Sequence, residues 1–253
     1  MLLPFFSRRL HRLSPSALPS RLQVAAAGGL AGVAMVSAGI VSTALVSTAL
    51  VSAAIAGSSL PQVVAVPTRP AFITPPGAVE QPASVGQLLR PETLLRTQKP
   101  GRLQVRLADG RSFRLGGDAL LRLGSRELDL QRGQIIAWVN PGSQGQGRLR
   151  IRTRVATASI EGTTVFIEAT PDQIKLFSWE GNVWVSTATG QQVVLRSGEE
   201  LLYRDAAWLP KRKLSQQEAQ TRASASQLLN GFPTPMETLP IIRRELALDA
   251  QPQ

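Results

Sequence analysis

The sequence predicts an all-β protein, an antiparallel β roll or sandwich or a short β-solenoid of about ten short strands, preceded by one transmembrane or signal-anchor helix. Three observations carry that expectation. From Leu103 to Tyr203, apolar and polar residues alternate in short runs broken by glycine and Asp-Gly turns. From Val24 to Thr68 no side chain is charged. The 253-residue chain has no cysteine, one histidine and a net charge of +11, which removes disulfides, thiolate metal sites and a cysteine nucleophile.

Residues 1–23 form a basic leader carrying Arg8, Arg9, Arg12 and Arg21 and no acidic side chain. Residues 24–56 then run apolar in Ala, Val, Leu, Gly, Ser and Thr. At a rise of about 1.5 Å per residue, roughly 20 residues cross a hydrocarbon core of about 30 Å, so this run is long enough to span a bilayer. A five-residue repeat (Val36-Ser-Ala-Gly-Ile, Val41-Ser-Thr-Ala-Leu, Val46-Ser-Thr-Ala-Leu, Val51-Ser-Ala-Ala-Ile) fills its second half. Five residues advance a helix by about 500°, so the serines spiral around it and make no polar stripe. Ala54-Ile55-Ala56 followed by Gly57 also fits a signal-peptidase site. The leader is expected in the cytoplasm and the bulk beyond a bacterial inner membrane, as a single-pass protein or one secreted after cleavage near Ala56.

Residues 57–100 read as a proline-rich linker, with eight prolines between Pro61 and Pro100, and a short helical turn at Gln87–Leu95. The β domain is expected over 101–209. Leu103, Val105 and Leu107 lead into the hairpin signal Asp109-Gly110, and Phe113 and Leu115 return. Leu121 with Leu123, Leu128 with Leu130, and Ile135 to Val139 follow, then a loop at Asn140-Pro-Gly. Leu149 with Ile151, Ile160, Val165 with Ile167, Ile174 with Leu176, Val183 with Val185, Val193 with Leu195, and Leu201 with Tyr203 complete the series. In the 210–253 tail, Ser215-Gln-Gln-Glu218 is a capping-box pattern that opens a helix to about Asn230, stopped by Gly231. With few apolar residues, this tail is expected to be partly helical or disordered and to dock loosely.

The only histidine, His11, lies in the leader, so Ser-His-Asp chemistry and histidine-ligated metals are unavailable to the β segment. No glycine-rich phosphate loop follows a strand and opens a helix. No catalytic residue, cofactor or metal ligand is expected. The pI near 11.4 raises nucleic acid as a partner, but the arginines are scattered among strands and no nucleic-acid binding is expected. Arg148, Arg150, Arg152 and Arg154 alternate with Leu149, Ile151 and Thr153, which places them on one strand face. Trp138 and Trp184 each sit between inward-pointing neighbours and so face outward. The candidate surface-binding residues are therefore Trp138, Trp184, Arg150, Arg152 and Arg154, with an envelope protein or a glycan as partner.

The ordered strand series resembles the FecR domain family. The matching text is Val105-x-Leu107-x-Asp109-Gly110, Leu121-x-Leu123-x-Ser125-x-x-Leu128, Gly133-x-Ile135-x-Ala137-Trp138-Val139 and Leu149-x-Ile151-x-Thr153. Ile160-x-Gly162-Thr163 with Phe166 is similar to the family's V-x-G-T-x-F core, and Val183-x-Val185 and Leu195-x-x-Gly198-Glu199 close the series. The resemblance implies a non-catalytic β domain outside the inner membrane, which in well-known members relays a signal from an outer-membrane receptor to a cytoplasmic sigma factor. The 23-residue leader is expected to be too short for those members' cytoplasmic anti-sigma domain, and the tail after Pro210 too short and too helical for their receptor-contacting domain. The main expectation is thus a non-enzymatic envelope protein whose β domain binds a protein or surface ligand. The alternatives are a FecR-type transmembrane signalling regulator and a peptidoglycan-binding wall protein.

Overall fold

The computed structural model describes residues 60–140 and 147–249. The expected membrane-spanning or signal segment, 24–56, lies outside the described residues. Among the described residues no helix is long and apolar enough to cross a membrane.

A long hairpin organises everything else. β6 (Ser112–Leu123) and β7 (Glu127–Trp138) pair antiparallel along their lengths, but their ladder is interrupted between Gly116 and Leu120 and bulges again before Leu121. The interruption follows from Gly117 (φ +64°), Asp118 (φ +59°) and Gly133 (φ +86°). A Cβ on Gly133 would lie 2.2 Å from the Ala119 Cα, so only glycine lets the two strands pass there.

Because the ladder breaks mid-hairpin, each half recruits different neighbours. β5 (Arg102–Arg106) pairs with the first half of β6, and β1 (Gln62–Thr68) pairs with β5. β10 (Thr164–Ala169) pairs with the second half of β7 and leads to β11 (Gln173–Glu180) and β14 (Glu199–Arg204). These strands form one wing. β15 (Ala207–Trp208) and β16 (Arg212–Lys213) edge it on β14.

The second wing grows from the other half of the hairpin. β4 (Thr93–Thr97) pairs with the end of β6, β2 (Ala71–Thr74) with β4, and β3 (Gln81–Pro82) with β2. On the opposite side, β8 (Leu149–Arg152) runs parallel to the start of β7, followed by β9 (Ala156–Ile160), β12 (Val183–Thr187) and β13 (Gln192–Leu195). The inward residues of both wings merge into one apolar cluster, from Leu103, Phe113 and Ile135 on the first to Ile73, Leu123, Ile151 and Val185 on the second. The sheet is therefore folded on itself about the hairpin, and its layers bury a common core.

Two expectations change. The segment assigned to a proline-rich linker, 57–100, is part of the domain from Gln62 onward. Val63, Ile73, Leu89 and Leu95 from it are essentially inaccessible to water, and Thr93–Thr97 is strand where a helical turn was expected. Its prolines sit where a sheet tolerates them: Pro67 and Pro82 on edge strands, the others in connections. The tail is not loose either. α1 (Gln216–Ala225), α2 (Gln227–Asn230) and α3 (Leu239–Glu245) follow β16. The capping box at Ser215 and Glu218 forms as expected. The single helix expected to Asn230 is split at Ser226, which ends α1 and caps α2 through its hydroxyl.

Burying one large aliphatic side chain contributes about 1.5–3 kcal/mol, so Val63, Ile73, Leu89 and Leu95 together rival the ~5–15 kcal/mol net stability of a typical domain. A chain beginning at residue 101 should accordingly lose cooperative urea unfolding, while one beginning at residue 54 retains it. Equal unfolding transitions for the two would show the first four strands to be dispensable.

Candidate functional site

Two faces of the folded sheet carry the polar and aromatic groups. On the outer face of the second wing, register aligns Arg150 with Ser159 and Trp184, and Arg152 with Thr157 and Ser186. A cleft of about 580 Å³ there is lined by Arg148, Arg150, Arg152 and Arg154. Most of this charge is already engaged. Arg152 lies 3.3 Å from Asp129 and 3.4 Å from Glu127; the bond and charge of Asp129 first, then the charge of Glu127, raise its pKa. Arg154 donates to the Thr170 and Pro171 carbonyls at 2.5 and 3.0 Å. Arg148 stacks over the Trp184 ring at 4.3 Å. Four of the five residues singled out from the sequence thus meet on one surface.

Trp138 does not join them. Its ring is buried on the other wing, and its Nε1 donates to Glu237 at 2.8 Å. Alternation places Trp138 on the outer side of its sheet, as expected, but that side is covered. Ile136, Trp138, Phe177 and Trp179, with Phe166 against them, form a second apolar cluster with Leu214, Ala219, Leu228, Leu229, Met236, Ile242 and Leu246 of the C-terminal segment.

The cover is fastened by Arg114, an outward residue of β6 that is fully buried. Its Nε donates to Gln104 at 2.9 Å, one terminal nitrogen to the Leu228 and Leu229 carbonyls at 2.8 and 3.1 Å, and the other to the Thr234 carbonyl at 2.6 Å. Its plane also lies 4.2 Å from the Phe232 centroid and 5.3 Å from that of Trp138. Burial lowers its pKa to about 10, opposed by Glu237, so the guanidinium stays charged at neutral pH. Arg102 on β5 adds bonds to the Gln227 side chain at 3.1 Å and the Gly231 carbonyl at 2.9 Å. Both arginines thus meet the carbonyl end of α2, where a cation is favoured.

Beside this clamp, α1 and the outer face of β7, β10 and β11 enclose a cleft of about 720 Å³. Phe166, Trp179, Leu214 and Leu228 supply its apolar lining, and Gln217, Glu218, Thr221, Arg222 and Ala225 line it from one stripe of α1. The opposite stripe holds the helix in place: Ala219 is buried, and the Gln216 and Gln220 amides donate to the Ala247 carbonyl at 3.1 and 3.5 Å. Trp179 Nε1 and one terminal nitrogen of Arg222 are buried without an acceptor among the described residues. An unmet buried donor costs about 1–3 kcal/mol. Among the described residues no cluster of three or more metal-ligating side chains occurs.

The family model described as FecR protein matches residues 93–184. This segment is a FecR domain. It runs from β4 into the start of β12, so it contains the long hairpin and the apolar floor of the cleft. β1 to β3, β13 to β16 and the three helices lie outside it. Among solved structures, two crystal structures of a candidate anti-sigma factor from Parabacteroides distasonis are similar. One has 17% identity and a TM-score of 0.40, covering 48% of this chain and 60% of that one. The other has 16% identity and a TM-score of 0.42, covering 51% and 64%. This chain therefore spans less than two thirds of either neighbour. No curated protein matches it.

Arg114, Trp179 and Arg222 were not singled out by sequence reading, although a signal for the covered face exists. Ile135-Ile136-Ala137-Trp138-Val139 and Leu176-Phe177-Ser178-Trp179 carry large apolar residues at both parities. That pattern marks strands of the FecR domain buried on both sides.

Glu180, at the end of β11, is also buried. Its carboxyl accepts from the Thr164 hydroxyl at 2.9 Å, which in turn meets Thr238 at 2.8 Å. Burial pushes its pKa from about 4.5 to about 7, with the Thr164 bond opposing and nearby Glu245 adding. A raised folded-state pKa means that the native state holds the proton more tightly. Its contribution is full below about pH 4.5 and is lost as pH rises through about 7.

Two outcomes follow from these contacts. Arg114→Leu leaves three carbonyls and Glu237 without their cation, and should destabilise the domain by about 3–5 kcal/mol while exposing residues 214–249 to protease ahead of the sheet. Glu180→Gln should flatten the fall in urea stability between pH 4.5 and 7, a change on the order of 2–3 kcal/mol. An unchanged pH slope would show that Glu180 titrates normally.

Proposed function

We propose that this protein is a signal-transduction regulator of the FecR type, in which the FecR domain and its C-terminal cover act by binding and catalyse no reaction. The match over residues 93–184 carries this reading. The basic leader and the uncharged 24–56 segment support an anchored arrangement, with the leader cytoplasmic and the folded body outside a bacterial inner membrane. An envelope protein is the expected signal source, and the face carrying the exposed Arg150 and the half-buried Trp184 is the surface offered to it. The glycan-binding alternative draws on Trp184 stacking, and Arg148 already occupies a face of that ring, which favours a protein partner.

In a strain lacking the gene, a confined set of transcripts should change. Wild-type protein should restore it, whereas a variant with Arg8, Arg9 and Arg12 replaced by glutamate should not, export being equal by immunoblot. Transcripts indifferent to the deletion would overturn the regulatory reading and leave only an envelope binding role.

A further inference from the structure

The cleft beneath α1 has a composition that packing alone does not account for. A helix laid on an aromatic sheet face ordinarily turns its apolar stripe toward it. Here α1 gives the apolar cluster over the sheet only Ala219 and the half-buried Ala223, sends the amides of Gln216 and Gln220 to the chain end at Ala247–Leu248, and lines the space over Phe166 and Trp179 with Gln217, Thr221 and Arg222. With so small an apolar stripe, α1 meets the sheet at Ala219 and through Arg222 over the Phe177 ring at 4.6 Å, and the volume left beside these contacts, about 720 Å³, falls within the roughly 300–1,000 Å³ usual for small-molecule sites.

The polar groups around that volume define what would fill it. Trp179, 1% exposed, and Arg222 both line the cleft and each keeps one buried donor unmet. The charged groups are already neutralised locally. Glu168 meets Lys175 at 3.3 Å, Glu218 meets Arg212 at 2.9 Å, and Arg222 meets Glu200 at 2.8 Å. Two Ser215 donors and Arg212 hold the Glu218 carboxylate down to about 2, so it stays ionised and paired. A site with spare donors and balanced charge favours a neutral acceptor over an anion, whose own charge would be left uncompensated.

We infer that this cleft binds an uncharged small molecule with an apolar body and a carbonyl acceptor, the body lying on Phe166 and Trp179 and the carbonyl accepting from Trp179 Nε1 and Arg222. The site is defined independently of the regulatory reading and can stand if that reading fails.

N-benzylacetamide serves as the probe, titrated into the full chain labelled with ¹⁵N at its tryptophan indoles. The Trp179 indole proton, identified by its loss in Trp179→Phe, should move downfield saturably as it gains an acceptor. Propylbenzene, which lacks the carbonyl, and 3-phenylpropionate, which is charged, should each bind at least about tenfold more weakly. Arg222→Lys keeps a charge opposite Glu200 and lacks the guanidinium's second terminal nitrogen, the one left unmet, and should weaken the amide about tenfold with the other indole signals unmoved. Thr221→Phe, which fills the cleft without touching that ion pair, should abolish the shift. No saturable shift below roughly 10 mM, equal binding of propylbenzene, or full affinity in Thr221→Phe would overturn the site.

Discussion

One buried guanidinium holds two layers of this protein together. Taking a cation such as Arg114 out of water costs several kcal/mol, and the cost is tolerable only where its donors are met. Here carbonyls of residues 228, 229 and 234, the Gln104 amide oxygen and two aromatic faces meet them. The three carbonyls and the Phe232 ring come from the C-terminal segment, and the donor comes from the central strand of the sheet. Separating the layers exchanges these bonds for water, a net loss of about 0.5–3 kcal/mol for each that adds to the loss of the apolar contacts. Arg102 and the Glu200–Arg222 pair tie the same segment down on either side of Arg114.

The position of Arg114 is set by the hairpin that divides the sheet. Along β6 the core takes Phe113 and Leu115, so Arg114 must face away from it. The break at Gly116 to Asp118 then turns the rest of β6 into the other wing. Arg122, another outward arginine beyond the break, stays near solvent and pairs with Asp129 at 3.2 Å. Two arginines on one strand thus have opposite fates. What separates them is whether a third layer lies above their half of the hairpin.

This division also explains what could be read in the sequence. The inward positions named between Leu103 and Leu201 from simple alternation, among them Leu121, Ile135, Val165 and Val185, lie in the common core, with Leu107 and Val193 packed half-buried against it. Alternation reports the side of a sheet to which a residue belongs and carries no information on whether the far side is wet. Alternation accordingly puts Trp138 on the correct side and is silent on the segment that covers it. The residues that cover it come about a hundred positions later, in helices with too little apolar surface to announce a docking face. The early strands were hidden for another reason. Proline density marks them as linker, whereas prolines at sheet edges and in turns cost a sheet nothing because no ladder bond is owed there. Arg114 and Arg222 were unreadable in principle, since an outward arginine looks the same whether its partner is water or a distant carbonyl.

The FecR domain and the folded body have different limits, and the difference bears on function. The match ends at the second residue of β12, leaving an aromatic outer face on β7, β10 and β11 that the domain does not cover with its own residues. In this chain α1 to α3 provide the cover, clamped firmly at α2 by Arg102 and Arg114 and leaving a cleft beside the contacts of α1. Firm anchoring at one end with open space at the other is the arrangement in which a bound molecule can change the fit of α1 without dislodging the segment. The chemistry that such a molecule must bring is set by residues from both parts, Trp179 from the FecR domain and Arg222 from its cover. Specificity at this cleft is therefore a property of the whole folded body, and the FecR domain alone does not contain it.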